Sequence, residues 1–285
     1  MLTGKKLAVL GVGKLGEALV MGLLKQGDVR REDIAGSVAH EESLGRIRER
    51  LGIEAMTDNR RLVDGRDIIL LAVKPQNMDR VLTEIAEVVT PQQLVITVAA
   101  SVTTQFVEAR LRAPVPVVRA MPNTPCVLGA GMTALCGGLY AQDEHLRTAE
   151  EIFRAVGETV FIDESLMDGV TGLSASGPAY LYVIIESLAE AGVKLGIPRD
   201  IATLLAAQTM LGAARMVLES KAHPALLKDV VTTPAGCTID GLLELEEGKL
   251  RVTLIKAVVK AAERARELVE TQNAHPRTSQ PQVRH

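Results

Sequence analysis

The chain has 285 residues, a formal net charge of −3, 47% hydrophobic residues and 24% charged ones. That balance is ordinary for a globular protein with ample core, in one large domain or two smaller ones. It gives no electrostatic case for nucleic acid or anionic lipid. With no Trp, three Tyr and three Phe, the chain offers no stacking platform for single-stranded bases.

Lys5 and Lys6 precede an apolar run. Leu7 to Val12 is short, broken by glycine and followed by Lys14, so it reads as a strand and not as a leader. The expected elements then follow in order. Lys6 to Leu10 is a strand, Leu15 to Gln26 a helix, Ile34 to Val38 a second strand and Glu41 to Leu51 a charged helix. Asp67 to Val73, Leu94 to Ala99 and Val115 to Arg119 are short apolar runs separated by helix-length segments. Strands buried on both faces and spaced in this way predict a parallel sheet of βαβ units. Met132 to Cys136 and Thr159 to Ile162 extend the sheet, with a helix from Glu144 to Val156 between them.

After about Asp163 the strand pattern stops. Gly177 to Leu195, Arg199 to Ser220, Ile239 to Glu247 and Leu250 to Gln272 read as helices, punctuated by Gly196-Ile197-Pro198 and His223-Pro224. The fold class is therefore α/β: a Rossmann-type domain over 1–163, an all-helical domain over 164–272 and a polar, disordered tail over 273–285. The two central helices are apolar on nearly all faces, which requires burial and predicts a subunit interface. The richest apolar stretch, Ile201 to Leu218, contains Gln208 and Arg215, so no membrane-spanning helix is expected. Cys126, Cys136 and Cys237 are odd in number and lack CxxC spacing. This argues against disulfides or structural zinc, and each reads as a small buried hydrophobe in a reducing compartment.

Gly11-Val12-Gly13-Lys14-Leu15-Gly16 is a GxGxxG turn between the first strand and first helix. That context points to a dinucleotide whose pyrophosphate lies on the helix N-terminus. NAD enzymes place an acid at the end of the second strand to bond the ribose diol. Here that region reads Gly36-Ser37-Val38-Ala39-His40, so the balance tilts to NADPH, with NADH possible and Ser37 and Asn59 as neutral partners. Three further segments follow strand ends: Ala72-Val73-Lys74-Pro75, Ala99-Ala100-Ser101, and Arg119 to Pro125, in which two prolines bracket Asn123-Thr124. Lys74 reads equally as a surface lysine and Asn123 as a turn residue. In the helical domain, Asp229 to Thr238 gathers threonines, a proline and a glycine before a helix, a setting for a carboxylate. Thr238 alone also reads as a helix cap.

GxGxxG, AVKP, RAMPNTP (Arg119 to Pro125), SGPAY (Ser176 to Tyr180) and DVVTTPAGCTIDGL (Asp229 to Leu242) occur in one order. In this the chain resembles the pyrroline-5-carboxylate reductase family up to about residue 270. The resemblance implies reduction of 1-pyrroline-5-carboxylate to L-proline in the cytoplasm, and homodimers through the helical domain that assemble as far as decamers. It implies a small-molecule substrate and neither nucleic acid nor membrane as partner. It also implies cofactor contacts from Gly11, Val12, Gly13, Lys14, Leu15, Gly16, Ser37, Asn59, Ala72, Val73, Lys74, Pro75 and Asn123. Val231, Thr232, Thr233, Gly236, Cys237 and Thr238 would form the substrate loop, with Thr238 bonding the ring nitrogen. Ala235 stands where the family usually has glycine, which requires negative φ or strain. The five histidines lie outside these motifs, and Lys194 lacks the GxxxKxxxN setting of hydroxyacid dehydrogenases. An iminium is already a strong hydride acceptor, so a site poor in titratable groups suits imine reduction. The alternatives are another small-imine or 2-hydroxyacid oxidoreductase on the same scaffold, or a non-catalytic dinucleotide sensor.

Overall fold

The computed structural model describes residues 2–274, so residues 275–285 of the expected disordered tail lie outside the described residues. Two compact units emerge, Ser176–Val259 and the remainder. The division expected at 163 and the compact division at 175 are different cuts.

The larger unit carries an eight-stranded sheet in the order β3-β2-β1-β4-β5-β6-β7-β8. Its strands are β1 (Leu7–Leu10), β2 (Ile34–Ser37), β3 (Glu54–Met56), β4 (Ile68–Leu71), β5 (Leu94–Thr97), β6 (Val117–Pro122), β7 (Gly131–Gly137) and β8 (Gly157–Phe161). Helices α1 (Lys14–Gln26), α2 (Glu42–Leu51), α3 (Asn59–Val63), α4 (Met78–Ile85), α5 (Thr104–Glu108) and α6 (Asp143–Arg154) connect them. Every strand pair is parallel, in keeping with the βαβ reading, except β6–β7, where the first of the two strands that extend the sheet runs antiparallel. The physical reason is connection length. Residues 123–130 are too few for a parallel crossover, which needs a dozen or more, and the chain reverses through a 3₁₀ turn, Thr124–Leu128.

The continuous apolar runs are buried on both faces, as the βαβ reading requires. Leu7 and Val9 join one core with Leu19 and Leu23 of α1 and Phe153 of α6, while Ala8 and Leu10 join another with Val81 and Ile85 of α4. On α4 the buried set Met78, Val81, Leu82 and Ile85 follows the 3.6-residue period. α6 starts one residue before the expected Glu144, because Gln142 and His145 form a reciprocal cap in which the Gln142 N–H donates to His145 Nδ1 at 2.9 Å. β3, α3 and α5, each of three to five residues, are too short to carry a period and escaped the sequence reading.

Beyond the sheet come α7 (Met167–Val170) and a π-helical turn, Thr171–Ala175. In the second unit, α8 (Gly177–Lys194) and α9 (Arg199–Ser220) pack on each other, followed by α10 (Pro224–Val230) and α11 (Cys237–Glu247). α12 (Leu250–Ala274) passes from the second unit back to the first and ends two residues beyond the expected Gln272. Small residues bring α8 and α9 together: Ala189, Ala202 and Ala206 are buried, and a Cβ on Gly192 would lie 2.9 Å from that of Ala202. Their large apolar side chains face outward, Leu204 being 67% and Tyr182 62% exposed.

Candidate active site

The strand order reverses between β1 and β4, the switch point at which open α/β sheets bind ligands beyond the strand carboxyl ends. Gly11 leaves β1 at φ +84°, where a Cβ would come within 2.7 Å of Val73 Cγ1, so only glycine makes this turn. The Gly11 and Val12 N–H groups both donate to the Ser37 carbonyl, at 3.1 and 2.8 Å, hooking the turn onto β2. Gly13 caps α1 without any side-chain hydrogen bond, and a Cβ there would meet nothing within 4 Å. The first N–H groups of α1 therefore face an open approach, which is what a pyrophosphate needs. A Cβ on Gly16 would press on the Gly11 carbonyl at 3.3 Å and Ala72 Cβ at 3.8 Å, so the helix packs close against the β1 and β4 ends. Behind the turn, buried Glu17 is ion-paired to Arg46 and Arg50 of α2, which neutralises a carboxylate near the phosphate position.

Ser37 is buried and Asn59 half-buried, and the structure brings them together: the Ser37 hydroxyl donates to Asn59 Oδ1 at 2.7 Å. Asn59 Nδ2 in turn donates to Glu84 Oε2 on α4 at 2.6 Å. No acid stands at the end of β2, as expected, but Glu84 reaches the same region from α4. Sequence reasoning missed it, since it belongs to no motif and reaches Asn59 from 25 residues away. Ala72 donates to the Leu10 carbonyl at 2.8 Å, placing the Ala72–Pro75 segment beside the glycine turn, with Lys74 exposed. Asn123 is committed to its own unit. Its Oδ1 accepts from Met132 N–H at 2.9 Å, and its Nδ2 faces Ser174 of the π-helical turn at 3.4 Å. Ser101, at the end of the β5 segment, is 8% exposed with φ +63°, a strained backbone next to these loops.

A second polar group lies at the end of this unit. Arg119 is 2% exposed; its Nη1 lies 3.2 Å from Glu164 Oε1, while its Nε and Nη2 have no partner among the described residues. Glu164 also accepts from the Thr104 N–H at 2.9 Å and hydroxyl at 2.6 Å. Burial pushes the nearby Glu108 carboxyl above its usual range, with backbone N–H groups of Tyr140 and Leu139 partly opposing. It pushes the Cys136 thiol up to about 12, with the Glu164 charge assisting. An open groove of about 790 Å³, lined by Lys5, Asp67, Gln92 and Glu144 among others, lies at the amino ends of β1, β4 and β5, away from the nucleotide loops.

In the second unit, the candidate substrate loop is the short connection between α10 and α11. The Thr232 hydroxyl donates back to the Lys228 carbonyl at 2.9 Å, and the Gly236 N–H donates to the Thr233 carbonyl at 3.0 Å, closing a tight turn. Ala235 occupies that turn at φ +58°, so the glycine-to-alanine departure is accommodated by strain. Gly236 is the N-cap of α11, with no side-chain cap bond, which places Cys237 and Thr238 in the first turn. Thr238 is therefore not the cap. Cys126 and Cys136 are buried as expected, whereas Cys237 is exposed and departs from the small-hydrophobe reading. Among the described residues no cluster of His, Cys, Asp and Glu could hold a metal.

A glycine turn at the switch point of a doubly wound sheet, followed by a helical module, defines a nicotinamide-dinucleotide oxidoreductase of two-domain type. Residues 6–101 match the family model "NADP oxidoreductase coenzyme F420-dependent", and residues 164–268 match "Pyrroline-5-carboxylate reductase dimerisation". A pyrroline-5-carboxylate reductase of Methanosarcina acetivorans is 44% identical over 93% of this chain and 98% of its own. A structure of the Coxiella burnetii pyrroline-5-carboxylate reductase aligns with TM-score 0.86 at 36% identity, covering 93% of this chain and 98% of that one. A Plasmodium falciparum pyrroline carboxylate reductase with NADP bound aligns with TM-score 0.84 at 30% identity, over 93% and 98%. The chain belongs to the pyrroline-5-carboxylate reductase family.

Proposed function

We infer that the protein reduces 1-pyrroline-5-carboxylate to L-proline with NAD(P)H. The observation that carries this reading is the end-to-end relationship to pyrroline-5-carboxylate reductases, 44% identity over 93% of the chain in one case. The cofactor supplies a hydride to the carbon of the C=N bond, and the nitrogen gains a proton, giving CH–NH. The chain's own residues bind and orient. The N–H groups that open α1, Lys14 to Gly16, hold the pyrophosphate, with Gly11, Val12 and Gly13 shaping the turn. Ser37 and Asn59 face the adenosine ribose. Ala72, Val73, Lys74 and Pro75 line the nicotinamide half, and Asn123 holds its floor. Backbone groups from Val231 to Cys237 receive the substrate carboxylate, and the Thr238 hydroxyl, not used as a cap, bonds the ring nitrogen. That hydroxyl can donate and accept, which suits a nitrogen that changes protonation during the reaction.

The helical module pairs two chains, and pairs assemble further, up to a decamer, in the cytoplasm. The test is oxidation of NADPH and of NADH at 340 nm with pyrroline-5-carboxylate as acceptor. Rapid turnover is expected. A folded protein that binds both cofactors and turns over with neither would overturn the reading in favour of another imine or of a sensor.

A further inference from the structure

We propose that Glu84 is a specificity-determining residue: through Asn59 it fixes the hydrogen-bonding sense of Ser37, and so sets the discrimination between a free 2′-hydroxyl and a 2′-phosphate on the cofactor's ribose. The proposal rests on the cofactor reading above and deepens it.

Donors and acceptors set the sense of the relay. A carboxylate only accepts hydrogen bonds. The Asn59 atom that lies 2.6 Å from Glu84 Oε2 must therefore be its amide nitrogen. That turns the Asn59 carbonyl oxygen toward Ser37, 2.7 Å away, and a carbonyl oxygen also only accepts. The Ser37 hydroxyl proton is thereby committed to Asn59. What Ser37 Oγ retains is lone-pair density, part of it toward the Gly11 N–H at 3.4 Å. Read outward from Glu84, the relay makes Ser37 an acceptor.

An acceptor at Ser37 matches a ribose 2′-hydroxyl, which can donate. It mismatches a 2′-phosphate, which carries acceptor oxygens and negative charge. Glu84 itself is held in place by Arg80, one helical turn earlier on α4. It thus does from a distance what an acid at the end of β2 does in an NAD enzyme. The relay does not prevent phosphate binding, because Asn59 Nδ2 keeps a second N–H and Ser37 can turn its hydroxyl away from Asn59. It makes that rearrangement part of the cost of binding the phosphorylated cofactor.

Glu84→Gln removes the constraint with little change of shape. The new amide can donate as well as accept, so Asn59 can turn its carboxamide over, present Nδ2 to Ser37 Oγ and free the Ser37 hydroxyl to donate outward. The variant also removes one negative charge from the neighbourhood of the phosphate. The expected result is a rise of about three- to tenfold in the preference for NADP⁺ over NAD⁺, read as the ratio of the two dissociation constants. The same rise is expected in the kcat/KM ratio for NADPH over NADH.

The experiment titrates wild type, Glu84→Gln, Ser37→Ala and the double variant with NADP⁺ and with NAD⁺. A change in packing at α4 would move both affinities together and leave the ratio alone, so a ratio that stays within about twofold, or falls, overturns the proposal. The rise must also depend on Ser37, so a gain of equal size in the Ser37→Ala background overturns it too. Wild type that binds neither nucleotide would sink the cofactor reading itself, whereas wild type that binds both beside an unmoved variant ratio would sink only the relay.

Discussion

Ala235 sits at φ +58° in a turn where an L-residue is strained by about 1–2 kcal/mol. Ala235→Gly should therefore hold or raise the melting temperature, net of the entropy glycine adds to the unfolded chain. A clear fall in Tm would show that the alanine methyl makes a contact worth more than the strain. Thr238→Ala should lower kcat/KM by about 1–3 kcal/mol of transition-state stabilisation, since it leaves a polar substrate nitrogen without its partner. Full activity would remove Thr238 from the proposed role. The cysteines divide by environment. With its thiol pushed up to about 12, Cys136 carries almost no thiolate near neutrality, and Cys126 is buried and pushed up as well. Iodoacetamide should label Cys237 in the native protein and the other two only after unfolding, which mass spectrometry reads directly.

Elements decide what single motifs do not. Ser37 and Asn59 were legible as candidates because the glycine turn fixes where the second strand must end. Their joint arrangement was not, because it depends on α4 packing beside α3 and bringing Glu84 to Asn59. The antiparallel turn from β6 into β7 was equally hidden: both strands read as apolar runs, and direction follows only from the short 123–130 connection. The Arg119–Glu164–Thr104 cluster ties β6 and α5 to the turn that precedes α7. Removing the arginine empties the volume of a fully buried side chain and leaves Glu164 without its cation, so Arg119→Ala should destabilise the fold by about 1–3 kcal/mol in chemical denaturation. The pH dependence at Glu108 has the opposite sign to a salt-bridged acid. Burial raises its folded-state pKa above the ordinary 4.5, so the folded protein binds its proton more tightly than the unfolded chain does. Its cost is absent at acid pH and grows as pH rises through that window. Glu108→Gln should raise Tm at pH 7, with the gain vanishing below about pH 4.

At the scale of the whole molecule, the apolar surface of α8 and α9 is the dominant feature. α9 is long and apolar enough to cross a membrane by length and composition, yet little of it is buried within the chain. Residues 164–268 match a dimerisation model, which makes that surface the candidate contact between two copies of the chain. Leu211, 53% exposed, should be neutral to substitution in a monomer. Leu211→Glu should instead convert the oligomer to monomers in sedimentation velocity and abolish activity; an unchanged sedimentation coefficient would move the interface elsewhere.

The sequence by itself determined the doubly wound sheet, the glycine turn, the helical module and the motif order that marks the family. Each is written in local periodicity or in contiguous residues, which need no knowledge of distant partners. Only the tertiary structure decided the burial of Arg119 and the sense of the Ser37–Asn59–Glu84 relay. Those depend on which side chains long-range packing brings within hydrogen-bonding distance, and no spacing along the chain encodes that.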